Sequence, residues 1–131
     1  GNLRDGEPVT VAIEKLTTYC EEKGVNLVGV LFNCAEPEAI TKALVRIKAS
    51  KICFPKDLLL GAYANRLTPV APDWTLEGSD APQPMRDDLS PEQYYTEFVS
   101  RWVEEYNVRM IGGCCGVTPD HISYIRNQLV K

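Results

Sequence analysis

Three short apolar runs, each set between stretches of helical periodicity, constrain this chain more than any other feature. They are LVGVLF at Leu27–Phe32, DLLLGAYAN from Asp57 to Asn65, and VRMIGG from Val108. Runs of this length without polar alternation mark strands buried on both faces, the pattern of parallel sheets covered by helices. The intervening segments supply those helices. Residues Glu7 to Lys23 place Val9, Ala12, Ile13, Leu16 and Cys20 at helical spacing, with Pro8 in the first turn and Gly24 as the stop. Pro37 opens a second helix with Ile40, Leu44 and Ile47 on one face. Ser90, Pro91 and Gln93 form a capping-box start for a third, whose Tyr95, Phe98, Trp102 and Tyr106 make an aromatic stripe expected to pack on a sheet. Thr118-Pro119 starts the last helix, with Ile122, Ile125 and Leu129 expected to face inward. The order α-β-α-β-loop-α-β-α predicts an α/β fold with a parallel sheet. Three strands leave two apolar edges open, at Leu27–Phe32 and Val108–Ile111.

The chain's 131 residues suit one domain. Residues 66–89 break the alternation with Pro69, Pro72, Pro82 and Pro84, and predict a long irregular loop, a kind of segment often used for binding. The formal charge is −4 and the basic residues are dispersed, so neither nucleic acid nor an anionic membrane is an expected partner. No apolar run approaches the ~20 residues of a membrane span, and no secretory signal is visible. A cytoplasmic location is expected. The first residue is Gly1 rather than methionine, which suggests a trimmed or processed piece.

Five cysteines, an odd number, argue against a disulfide framework and for a reducing compartment. Cys20 on a helix and Cys53 in a connector read as ordinary small core residues. The others cluster by topology: Cys34 follows the first strand, and Cys114 and Cys115 follow the third. In parallel α/β folds that end of the sheet collects ligands and catalytic groups. A disulfide between the neighbours is disfavoured, because their Cα atoms are held about 3.8 Å apart, below the usual disulfide range. In a regular strand the two thiols would also point to opposite faces. Gly112, Gly113 and Gly116 offer the backbone freedom to turn both toward one point, where amides of the turn can hydrogen-bond thiolates. Three thiolates form a Cys₃ set, which leaves zinc one open position as in catalytic sites. His121 is a possible fourth ligand, although a histidine so placed is more often a surface residue or one that supports the ligands. A redox role for the adjacent thiols is a further reading, weakened by the disulfide geometry.

The segment GGCCGVTPDHI, with FNC after an earlier strand, resembles the homocysteine S-methyltransferase family across essentially the whole chain. LRDGEPV is similar to the entry into the helix after that family's fifth strand, GAYAN to its seventh strand, and GGCCG to the end of its eighth. The resemblance implies that residues 1–131 are the C-terminal part of a (β/α)₈ TIM barrel, about strands six to eight with flanking helices. It implies a Zn²⁺ ion on Cys34, Cys114 and Cys115, with the sulfur of homocysteine in the open position. In related enzymes an asparagine on the seventh strand lies near the metal, and Asn65 matches it, as a secondary candidate for substrate binding or for a labile ligand in the empty site. Asn33, beside Cys34, is a further substrate-binding candidate. The implied reaction moves a methyl group from a small sulfonium, ammonium or folate donor to the homocysteine thiolate, giving methionine. A whole barrel takes about 250 residues. The chain alone is therefore expected to be inactive and to need the missing barrel part, or to self-associate through its open strand edges. The alternative is a zinc-binding or partner-docking module without catalysis.

Overall fold

The computed structural model describes residues 1–50, 52, 55, 57–69 and 84–130. Cys53 and the centre of the expected loop, including Trp74, lie outside the described residues. The elements follow the expected order. Helix α1 spans Val9–Glu22, strand β1 Gly29–Asn33, helix α2 Pro37–Ala49 and strand β2 Leu59–Tyr63. A continuous helical run follows: α3 Pro91–Gln93, a π-helical segment Tyr94–Val99, and α4 Ser100–Tyr106. Strand β3 is Val108–Ile111 and helix α5 is Pro119–Leu129.

The strands form one parallel sheet in the order β1-β2-β3. Gly29 to Asn33 pair in register with Leu59 to Tyr63, so alternate residues on both strands share a face. Val30, Phe32, Leu60 and Ala62 point toward the helices, and the core is built on that face. Ile40 and Leu44 of α2, Val99 and Trp102 of the third helical run and Ile125 of α5 close over it. Val9 and Ile13 of α1 join α2 in a second cluster. The opposite face carries Gly29, Leu31, Leu59 and Gly61, with the side chains of Leu31 and Met110 lying over the two glycines. Leu31 remains 43% exposed there. The expectation of strands buried on both faces is thus corrected, because the helices cover one side only. Helices outside and a free inner face are consistent with a segment of a barrel wall.

Local choices explain most of the elements. Pro37 occupies the first turn of α2, with Glu38 there and Arg46 and Lys48 in the last turn, each charge opposite to the helix dipole. The capping box of Ser90 and Gln93 forms as expected, Ser90 Oγ accepting from the Gln93 N–H at 3.2 Å. Asn107, in the left-handed conformation at φ 55°, ends α4 and turns the chain directly into β3.

Two faces differ from the expected periodicity. On α1, Thr17 is buried in place of Leu16, its hydroxyl satisfied by the Ile13 carbonyl at 3.0 Å. On α5, His121 and Ile125 face inward while Ile122 and Leu129 are exposed, because the capping arrangement turns His121 into the core.

The aromatic stripe also shifts. Tyr94 and Trp102 are both fully buried, with their rings edge to face at 6.0 Å. Eight residues apart, they would diverge by about 80° on a regular α-helix. The extra residue of the π segment brings them onto one face and moves Tyr95 aside, against Tyr124.

The two described ends of the long segment meet. Leu67 and Met85 form an antiparallel bridge, Thr68 N–H donates to Pro84 O at 3.0 Å and Arg86 N–H to Arg66 O at 2.9 Å.

Candidate metal centre

The site is built where the three strands end. The β2 exit is laced to its neighbours on both sides by main-chain hydrogen bonds. Asn65 N–H donates to Ala35 O (2.9 Å), Arg66 N–H to Cys115 O (2.8 Å) and Cys114 N–H to Ala64 O (2.8 Å). Cys34 N–H in turn donates to Tyr63 O at 3.0 Å. These bonds fix the separation of the turns that carry the cysteines.

Cys34 adopts the left-handed region, φ 47°, which is uncommon for a residue with a side chain. Asn65 supports it from the neighbouring strand end: its Nδ2 donates to the Cys34 carbonyl at 2.8 Å, and its Oδ1 accepts from Leu67 N–H at 3.1 Å. In the turn after β3 the expected glycine roles divide. Gly116 alone of the three takes positive φ, 79°. Gly113 serves by lacking a side chain, since a Cβ there would collide with Val117.

The result is a cluster of three free thiols. Cys34 Sγ lies 3.5 Å from Cys115 Sγ, Cys114 Sγ lies 3.9 Å from Cys115 Sγ, and all three sulfurs fall within 4.8 Å of one another. Zinc–sulfur bonds of about 2.3 Å at tetrahedral angles would separate ligand sulfurs by about 3.8 Å. The donor set and its spacing therefore suit a thiophilic cation held by three ligands, with a fourth direction left open. Among the described residues this is the only cluster of metal-ligating side chains. Cys115 is exposed and the other two are half-buried, so the cluster is open to solvent.

The charges fit the same picture. Burial pushes the Cys34 thiol up, but its polar contacts with the Cys114 thiol, the Cys115 backbone and thiol, and Asn65 outweigh it and hold Cys34 below its ordinary value. Cys114 is pushed up to about 11, first by its hydrogen bond to Cys34 and then by burial. The two shifts run in opposite directions, so the clustered thiols do not ionise independently of one another. A divalent ion is what makes three thiolates compatible at this spacing.

The remaining expected residues fall as follows. His121 is 2% exposed, its Nδ1 accepts from Thr118 N–H at 3.1 Å, and its Nε2 lies 2.9 Å from Leu89 O. Both ring nitrogens are thus engaged within the core, and His121 supports the helix start rather than the cluster. Asn33 is exposed at the end of β1, in register with Tyr63 on the free face. Cys20 is buried on α1, as expected of a core residue.

Sequence reasoning missed Tyr94. Its hydroxyl accepts from Ala64 N–H at 3.3 Å and donates to Gly112 O at 3.1 Å, directly beneath the cysteine turns. Burial pushes this hydroxyl up to about 12, with the Ala64 N–H opposing, so it stays protonated and able to donate at neutral pH. An α-helical phase singled out Tyr95, and nothing in the sequence signals the π turn that exchanges the two.

The sequence profile of the homocysteine S-methyltransferase family matches residues 1–129. No solved structure matches the chain at a significant level. With the match running over nearly its whole length, this chain belongs to the homocysteine S-methyltransferase family.

Proposed function

We propose that this chain carries the zinc-ligand part of an enzyme that transfers a methyl group to the thiolate of homocysteine, giving methionine. The observation that supports it most is the convergence of three thiols, from turns about 80 residues apart in sequence, at separations suited to tetrahedral ligation. Cys34, Cys114 and Cys115 would hold the zinc. Bound there, zinc supplies the positive charge that keeps a coordinating substrate thiol deprotonated at neutral pH, where a free thiol is mostly protonated.

The chain's own groups do the rest by position. Asn65 holds the Cys34 turn, and its Oδ1 keeps one lone pair beyond the bond from Leu67 N–H. That lone pair, together with the exposed amide of Asn33, is proposed to meet polar groups of homocysteine. The substrate sulfur attacks the methyl carbon in line; the sulfur–carbon bond forms as the donor–carbon bond breaks, and its electron pair leaves on the donor. The donor is a small sulfonium, ammonium or folate compound. The protein's contribution to that displacement is orientation.

Elemental analysis tests the metal. About one zinc per chain is expected, and Cys34→Ser or Cys115→Ser should lose it while retaining cooperative unfolding. A reduced wild-type chain that takes up no zinc sinks the metal assignment. Methyl transfer from labelled donors to homocysteine, with and without the preceding barrel units, tests the enzyme. In the alternative, a zinc-binding or docking module, the uncovered sheet face at Leu31 and Leu59 would be the contact surface. Zinc uptake without transfer in either form would establish it.

A further inference from the structure

We propose that Tyr94 is a positioning residue of the metal centre, its hydroxyl built into the sheet as a spacer that sets where the β3 turn presents Cys114 and Cys115. The inference rests on the reading of those cysteines as metal ligands.

In an uninterrupted parallel ladder Gly112 would donate to Ala62 and accept from Ala64. The first bond is present, Gly112 N–H to Ala62 O at 3.1 Å. The second is replaced by the tyrosine hydroxyl, which accepts from Ala64 N–H and donates to Gly112 O. Two residues beyond Gly112 the strand exits rejoin, Cys114 N–H donating to Ala64 O at 2.8 Å. The hydroxyl thus occupies one rung between β2 and β3, at the last step before the cysteine turn. It holds the exits apart there while both main-chain groups stay satisfied.

Packing alone does not call for this arrangement, because a phenylalanine ring would fill the same space beside Trp102 and His121. Without the oxygen, two outcomes are open. The strands close to a direct bond and carry Cys114 with them, or Ala64 N–H and Gly112 O stay unpaired. The first moves the sulfurs relative to Cys34, which is anchored separately through Asn65. The second removes the contact that holds the exit in place and loosens the turn that presents them. The π segment fits this role, since its extra residue places Tyr94, not Tyr95, on the buried face. Single π turns inside helices often occur at functional sites.

The test compares Tyr94→Phe with Tyr95→Phe, which removes a hydroxyl from the same segment away from the strand exits. Zinc affinity is measured by competition with a chromophoric chelator, and ligand geometry by the absorption bands of the cobalt-substituted protein. Tyr94→Phe should lose about 10-fold or more in zinc affinity, the scale for residues that orient metal ligands, and shift the cobalt bands. Tyr95→Phe should match wild type in both. A folded Tyr94→Phe with wild-type affinity and spectrum overturns the inference and leaves the metal reading standing. A wild type that binds neither ion overturns both together. Hydrogen exchange on the wild-type protein needs no variant: the Ala64 amide should be among the protected ones, and free exchange there would refute the spacer directly.

Discussion

Cys34 and Gly116 show what the centre demands of single residues. Both have positive φ, and only one of them lacks a side chain. A non-glycine residue held in the left-handed region costs on the order of 1 kcal/mol and persists where its surroundings over-determine it. Asn65 provides much of that constraint on Cys34. Asn65→Ala should therefore destabilise the chain by about 1–3 kcal/mol, because the Cys34 carbonyl and the Leu67 N–H each lose their partner. Urea unfolding measures it, and a change below about 0.5 kcal/mol would show that water replaces the amide. At Gly116 a Cβ would lie 2.5 Å from Met85 Sδ in addition to the unfavourable φ. Gly116→Ala is expected to cost more than 1 kcal/mol and to weaken zinc uptake; a neutral thermal melt would contradict this.

At the scale of elements, the third helical run determines how the core and the site are joined. Trp102 is fully buried, and its Nε1 donates to Thr41 Oγ1 of α2 at 2.9 Å. Trp102→Ala should cost about 3–5 kcal/mol, and Trp102→Phe distinctly less, since it keeps an aromatic ring in the pocket and gives up only part of the buried volume together with the bond to Thr41 Oγ1. Equal losses in the two variants would mean that the hydrogen bond, not the packing, dominates. The start of this run was legible in the sequence, because a capping box needs only neighbouring residues. Its inward face was not, because a π turn is chosen by tertiary packing and periodicity assumes a uniform helix. His121 is a parallel case: its place near the cysteines made ligation conceivable, whereas the fold engages both ring nitrogens inside the core.

Over the whole molecule, an ion-pair group ties the segment after β2 to α2. Arg86 makes a two-bond contact with Glu38, both at 2.8 Å, and also reaches Asp88 at 2.7 Å. The Arg86 hydrogen bond holds the Glu38 carboxyl below its ordinary value of 4.5. A depressed carboxylate contributes stability above its unfolded pKa, and loses it as pH falls through the lower folded value. Arg86→Ala should thus be less stable than wild type at pH 7, by roughly 1 kcal/mol for this partly exposed pair. The gap should close below about pH 4.5. A pH-independent gap in thermal melts would assign the loss to packing of the arginine stem.

The free sheet face makes a second prediction at this scale. Leu31 and Leu59 lie on it, 43% and 42% exposed, and β1 and β3 have no further strand partner among the described residues. Sedimentation of the isolated chain should show concentration-dependent association that Leu31→Glu weakens. A wild-type chain that is monomeric throughout would refute it.

By itself the sequence determined the order of elements, the parallel sheet, the family and the three cysteines as a set. Each is written in local pattern: apolar runs, caps, and thiols placed just past strand ends. Tertiary structure decided which sheet face is covered and which helical residues turn inward. It also decided that Gly113 is needed for space rather than for φ, and that a tyrosine hydroxyl stands in the ladder beneath the cysteines. These depend on contacts between residues far apart in the chain, where packing and hydrogen-bond satisfaction override local periodicity.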